Sequence, residues 1–165
     1  QVPQVERANT DWEADALKGG YWLRRPAAGA EAAIAFTGTI APEVLAAYDQ
    51  LLDDIPGLGV LNVTSPDVLH REWSASKAAR WTDKNAQTCH VEDLLSALAP
   101  DAGIVTVIDG SPSALSWLGG VQGMRVSPLG TDRFGQTGDL PDLYAEYRLD
   151  SVAIIDAMAE LFLKR

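Results

Sequence analysis

The sequence predicts an α/β fold, a three-layer α/β/α sandwich around a mainly parallel, mixed, five-stranded sheet. Three observations predict it. Short apolar runs rich in β-branched or small residues recur at Ala32 to Thr37, Leu58 to Thr64 and Ile104 to Ile108. Segments with apolar residues at helical spacing separate them, and turns of Gly, Ser, Thr, Pro and Asp follow them. Strands alternating with helices in this order pair mainly in parallel and carry helices on both faces.

The first twenty residues are polar and end in Gly19-Gly20, so they read as an arm or linker, with residues 21–165 as one domain. Trp12 is the residue of that arm suited to pinning it to the body. Tyr21 to Arg24 is a short aromatic strand closed by Arg25-Pro26, and a proline suits an edge position. Pro42 opens a helix with Glu43 at its positive end. Val44, Leu45, Tyr48, Leu51, Leu52 and Ile55 mark its apolar spacing, and Pro56-Gly57 stops it. Ser65-Pro66-Asp67 supplies a cap, a first-turn proline and an acid for the next helix, where Val68, Leu69, Trp73, Arg80 and Trp81 share a stripe. A helix from Val91 to Leu98 ends at Pro100. Ser113 to Leu118 is a helical turn before Gly119-Gly120, and Met124 to Ser127 is a weaker strand. Asp139 and Pro141 start a helix carrying Leu143, Tyr144 and Tyr147. The last helix begins at Leu149-Asp150-Ser151 and shows an inner face of Val152, Ile155, Met158, Ala159 and Phe162.

Composition excludes several function classes. There are 23 acidic against 13 basic residues, a net charge of −10. That balance lacks the positive footprint of nucleic-acid binding and argues against adhesion to an anionic membrane. The single Cys89 rules out an internal disulfide framework and a cysteine-based zinc site. The chain starts at Gln1 and not at Met, which reads as a piece of something longer.

In an open parallel sheet, ligands bind beyond the carboxyl ends of the strands. Four loops fall there, and they hold the candidate contact residues Thr39, Ser65, Asp109, Ser111, Thr131 and Asp132. Small residues at helix starts favour anions, although Ser and Thr serve equally as plain helix caps. Self-sufficient catalytic motifs are missing. The two histidines, His70 and His90, lie twenty residues apart. Cys89-His90 are neighbours in sequence, a poor arrangement for a nucleophile and its base. Neither a G-x-S-x-G elbow nor a glycine-rich nucleotide loop occurs.

The segment Gly130-Thr131-Asp132-Arg133-Phe134-Gly135-Gln136-Thr137, followed by Leu143-Tyr144, resembles the closing signature of the transketolase C-terminal domain family. Within that family it is most similar to the homodimeric pyruvate dehydrogenase decarboxylating component. Thr37-Gly38-Thr39, the strand from Val60 to Asp67 and the strand from Ile104 to Asp109 follow the family order, so the resemblance spans about Leu17 to Leu163. It implies an organising, dimer-supporting or regulatory domain without catalytic residues, from a cytoplasmic enzyme that uses thiamine diphosphate and Mg. Those groups are held by other domains through a Gly-Asp-Gly motif and an Asn pair. Ile108-Asp109-Gly110 is the nearest match here, and no Asn follows Asn85. The resemblance makes Arg133 and Phe134, with Asp132, candidate contacts to a partner domain, and plain solvent exposure or loop anchoring is the simpler role for them. Any of the five tryptophans left exposed would mark surface covered by the remaining domains. The alternative is a free-standing regulatory α/β domain that binds a small anion. A third reading, a hydrolase or transferase built on Cys89-His90 or Asp109, lacks a supporting motif.

Overall fold

Strands β1 (Gly20–Arg24), β2 (Ala30–Thr37), β3 (Gly59–Val63), β4 (Leu98–Ile108) and β5 (Arg125–Leu129) form one sheet in the order β1-β3-β2-β4-β5. The computed structural model describes residues 10–131, 133, 135 and 137–163. β2, β3, β4 and β5 run parallel, and β1 closes one edge antiparallel to β3. The predicted mixed, mainly parallel five-stranded sandwich is the fold observed.

Alternate side chains of a strand point to opposite faces, and β2 at the centre is buried on both. Ala32, Ile34 and Phe36 pack with Val105 and Val107 against helices α2 (Ala41–Leu51), α7 (Leu140–Glu146) and α8 (Ser151–Leu163). Ala33 and Ala35 face the other way with Leu61, Val63 and Ile104. They meet α3 (Pro66–Thr82), α4 (His90–Leu95) and α5 (Ser113–Ser116). Each large apolar side chain so buried contributes roughly 1.5–3 kcal/mol.

Four local differences from the sequence reading have physical causes. The stretch before Gly20 is not irregular throughout: α1 (Trp12–Leu17) forms there although it buries no residue of its own. Tertiary contacts hold it, since Trp12 packs on Tyr21 with ring centroids 5.3 Å apart and Thr64 Oγ1 donates to the Ala16 carbonyl at 2.6 Å. Pro100 does not end a helix. α4 stops at Leu95, and Pro100 lies inside β4, where the pairing with β2 jumps from Ala30↔Leu98 to Ala32↔Gly103. A bulge of this kind takes a proline because residues there leave the ladder.

Gly119-Gly120 begins another helix, α6 (Gly119–Gln122), instead of a break. A β-carbon on Gly119 would lie 2.5 Å from Val126 Cγ2 and 2.7 Å from the Met124 carbonyl, so the glycine serves close packing of this turn on β5. Finally, α8 buries Ala153, Ile154, Ala157, Met158 and Leu161, while Val152 is 61% exposed. This helix is apolar almost all round, so spacing alone does not pick its inner stripe.

The turn after α7 carries backbone strain. The Leu149 amide donates to the Tyr144 carbonyl at 2.7 Å and the Arg148 amide to Ala145 at 3.1 Å, a Schellman arrangement. Its left-handed position is filled by Arg148, at φ 55. Arg148→Gly is expected to raise stability by about 0.5–1 kcal/mol, measured as an upward shift of the urea midpoint.

Candidate functional site

The carboxyl ends of the four parallel strands lie along one rim of the sheet, and six of the candidate residues fall there. Thr39 follows β2, Ser65 follows β3, Asp109 and Ser111 follow β4, and Thr131 and Arg133 follow β5. Asp132 and Phe134 lie outside the described residues.

The rim is not one site. Thr39 is exposed beyond β2, and Ser65 occupies the N-cap of α3 without a side-chain bond to the helix. Ser111 shares a hydrogen bond with Ser113, their hydroxyl oxygens 2.8 Å apart. Asp109, Thr131 and Arg133 do come together. They line one cavity of about 190 Å³ with Tyr144 of α7 and Tyr147, the residue at that helix's C-cap. The Thr131 amide ties the two loops, donating to the Gly110 carbonyl at 2.7 Å.

Topology explains the hollow. The chain leaving β4 turns to α5 on one face of the sheet, whereas the chain leaving β5 crosses to α7 on the other. Neighbouring strands whose connections diverge leave a crevice between them. The two tyrosines were legible only as helix residues, their i, i+3 spacing being the one signal that they share a face.

Cys89 and His90 have structural roles. Cys89 is the N-cap of α4: its sulfur accepts the Glu92 amide, while the Glu92 carboxylate accepts the Cys89 amide at 2.9 Å. Burial pushes the thiol pKa up, which disfavours the nucleophilic thiolate. His90 Nε2 lies 2.8 Å from the Gly20 carbonyl, which only accepts, so Nε2 carries the proton and fastens α4 to β1. Thiol and imidazole thus bond to different partners, and no hydrogen bond joins them among the described residues.

The same cap holds the main ion pair, in which Arg80 donates to Glu92 through both terminal nitrogens, one at 3.1 Å. Burial pushes the Glu92 pKa up, but the Arg80 hydrogen bonds and those from Cys89 outweigh it, and the net shift is downward from 4.5. A depressed carboxylate stabilises the fold above its unfolded pKa, and that contribution is lost as pH falls through the lower folded value. Glu92→Ala, which also orphans the Cys89 amide, is expected to cost about 1–2 kcal/mol at pH 7. Thermal melts from pH 7 to pH 3 should show the gap to the parent chain closing in acid.

A larger cleft, about 570 Å³, opens at the opposite end of the sheet. Leu51, Ile55, Leu58, Ile155, Met158 and Phe162 give it an apolar lining, with Glu31 and Asp54 as its acidic groups. Among the described residues, no three His, Cys, Asp or Glu side chains gather in a way that would hold a metal ion, and no helix is long and apolar enough to cross a membrane.

The sheet order, its antiparallel edge strand and the helices on both faces define a transketolase-like α/β domain. Several of the solved structures it matches are transketolases. The enzyme from Leishmania mexicana matches over 92% of this chain and 19% of its own, with a TM-score of 0.62 and 13% identity. Transketolase from Pichia stipitis, in complex with sedoheptulose-7-phosphate, matches over 96% and 20%, with a TM-score of 0.62 and 21% identity. A split-gene transketolase described as an inactive β4 tetramer matches over 99% and 48%, with a TM-score of 0.64 and 18% identity. The chain thus spans about a fifth of the Leishmania and Pichia transketolases and about half of the split-gene transketolase chain. No family model matches the sequence, and no curated protein matches it.

Proposed function

We propose that this chain is the organising C-terminal domain of a thiamine-diphosphate-dependent enzyme, of the transketolase or pyruvate dehydrogenase type, and that it works by holding other domains in a cytoplasmic dimer. The observation that carries the reading is the match of nearly the whole chain to about a fifth of several transketolases. The split-gene subunit supports association in trans, since there the corresponding fold belongs to a separate chain. In this reading the segment up to Gly20 is the connection to the rest of the enzyme.

This chain's own residues do not fit Mg-diphosphate. That pair needs converging oxygen ligands, whereas Asp109, of the nearest sequence match Asp109-Gly110, shares its cavity with one further charged side chain among the described residues, the cationic Arg133. The cofactor and the reaction are therefore assigned to other domains, and no chemical step is assigned here.

Exposed aromatic surface supports a partner. Trp81 on α3 is 89% exposed, and two turns earlier Trp73 stacks on Trp117 with ring centroids 5.4 Å apart. Large exposed aromatics are enriched where partners bind. The test is reconstitution with the remaining domains of the enzyme, expressed as a separate chain. Expected are a stable complex, a blue shift of tryptophan emission that Trp81→Phe diminishes, and thiamine-diphosphate turnover absent from either chain alone. Cofactor binding or turnover by this chain alone, or failure to associate, overturns the reading.

A further inference from the structure

Helix α8 has more apolar surface than the sheet covers. Its inner side buries Ala153, Ile154, Ala157, Met158 and Leu161, while Val152, Ile155, Ala159 and Phe162 recur on another side at three- and four-residue spacing. Val152 is 61% exposed, and Ile155, Ala159 and Phe162 form one wall of the 570 Å³ cleft. Facing them are Ile55 and Pro56 after α2 and the small residues Ala27, Ala28 and Gly29 ahead of β2. A β-carbon on Gly29 would meet nothing within 4 Å, so that wall is open. A helix apolar on all sides is normally buried on all sides. The stripe from Val152 to Phe162 rises about 15 Å, close to three helical turns.

Acidic groups rim this stripe. The chain has no Lys or Arg between Arg25 and Arg71 and none within α8. Glu31 and Asp54 line the cleft, and Asp156 and Glu160 are exposed on α8. No basic side chain lines the cleft among the described residues, where Asp54 and Asp156 form no ion pair.

That combination selects among occupants. A second copy docked across a two-fold axis would set acid against acid. An anionic membrane would be repelled. An extended peptide that adds to a sheet needs a free strand edge, whereas β2, the strand that starts here, is paired on both sides. A helix that is apolar on one face and carries Lys or Arg beside it complements both the stripe and its rim.

We propose that the cleft between α8 and the end of α2 is a docking groove for a basic amphipathic helix of a partner chain, its apolar face on Ile155 and Ala159 and its cations toward Asp54 and Asp156. The groove does not depend on the assignment of the domain to a thiamine-diphosphate enzyme, because stripe and rim both belong to this chain.

Fluorescence anisotropy with a labelled Leu/Lys helical peptide, LKKLLKLLKKLLKL, tests it against LEELLELLEELLEL and tetradecalysine. The Leu/Lys peptide is expected to bind the purified chain with a micromolar Kd, and each comparison peptide at least tenfold more weakly. Ala159→Arg sets a bulky cation on an exposed position of the stripe, and Asp54→Lys reverses an exposed rim charge. Each should weaken the Leu/Lys peptide at least tenfold with the melting temperature held, while Glu72→Lys, the same reversal on exposed α3 across the sheet, should leave it within twofold. The proposal is overturned if tetradecalysine matches the Leu/Lys peptide, if Ala159→Arg has no effect, or if Glu72→Lys acts as strongly as Asp54→Lys. It is also overturned if sedimentation shows a dimer of the parent chain that Ala159→Arg dissociates, which would give the groove to a second copy. Should a variant not fold, the Val152 and Ile155 methyl resonances of the parent chain decide the point, and methyls unmoved by the Leu/Lys peptide overturn the groove.

Discussion

Leu69→Ala is expected to cost about 3–4 kcal/mol, within the 2–5 kcal/mol span of buried leucine truncations. Leu69 is fully buried and is the one buried residue in the 17 residues of α3. Its side chain also packs against Gly19 and Gly20, where a β-carbon would come within 2.8 Å and 3.3 Å of it. The truncation therefore removes the anchor of a long helix together with the contact that seats the start of β1. Beyond Leu69, α3 is tied down by the Arg80–Glu92 pair and by Ser76 Oγ donating to the Gln87 carbonyl at 3.1 Å. Hydrogen exchange should show α3 amides losing protection well beyond the global loss. A cost under 1 kcal/mol with α3 protection intact would contradict this account of the helix.

Gly130→Ala is expected to destabilise by about 2–3 kcal/mol, at the upper end of overpacking costs. A β-carbon at this position would stand 2.6 Å from the Gly110 carbonyl, 2.8 Å from the Pro112 nitrogen and 2.9 Å from Pro112 Cδ. Those atoms are backbone or a rigid ring, so relief requires the loops after β4 and β5 to separate. The same movement strains the Thr131–Gly110 hydrogen bond and shifts Asp109 relative to Arg133. Urea denaturation gives the energy, and a crystal structure of the variant should show the displaced loop. A neutral substitution would mean that the two loops are looser than their contacts imply.

Gly130 also shows how much of this molecule was legible in its sequence. It opens the segment that resembles the transketolase C-terminal signature, and the structure gives one of its residues a physical reason, close approach of two backbones. Three strands were legible because β2, β3 and the second half of β4 are short apolar runs buried on both sides. The helices were legible where a proline and an acid mark the start, as at Pro42 and Pro66. What escaped depended on tertiary contacts. Trp12–Leu17 has no apolar stripe to announce a helix, and α8 has too many apolar positions to announce a face. Pro100 reads as a terminator unless the jump in pairing with β2 is known.

The candidate site was legible as a set of loops and not as a set of contacts. Residues at four strand ends look equivalent in sequence, and only the sheet order places the Asp109 loop beside the Thr131 loop; Thr39, although β2 also neighbours β4, and Ser65 do not line the cavity there. Tyr144 and Tyr147 arrive from a helix that follows later in the chain, so no local pattern could assign them to the rim.

The two sides of β2 differ in bulk, with Ile34 and Phe36 on one and Ala33 and Ala35 on the other. Sliding this strand by a single position would drive the large groups into space sized for methyls and leave holes behind them. The middle of the sheet thereby has one permitted reading frame, and insertions or deletions that the surface turns would absorb are lethal to folding there.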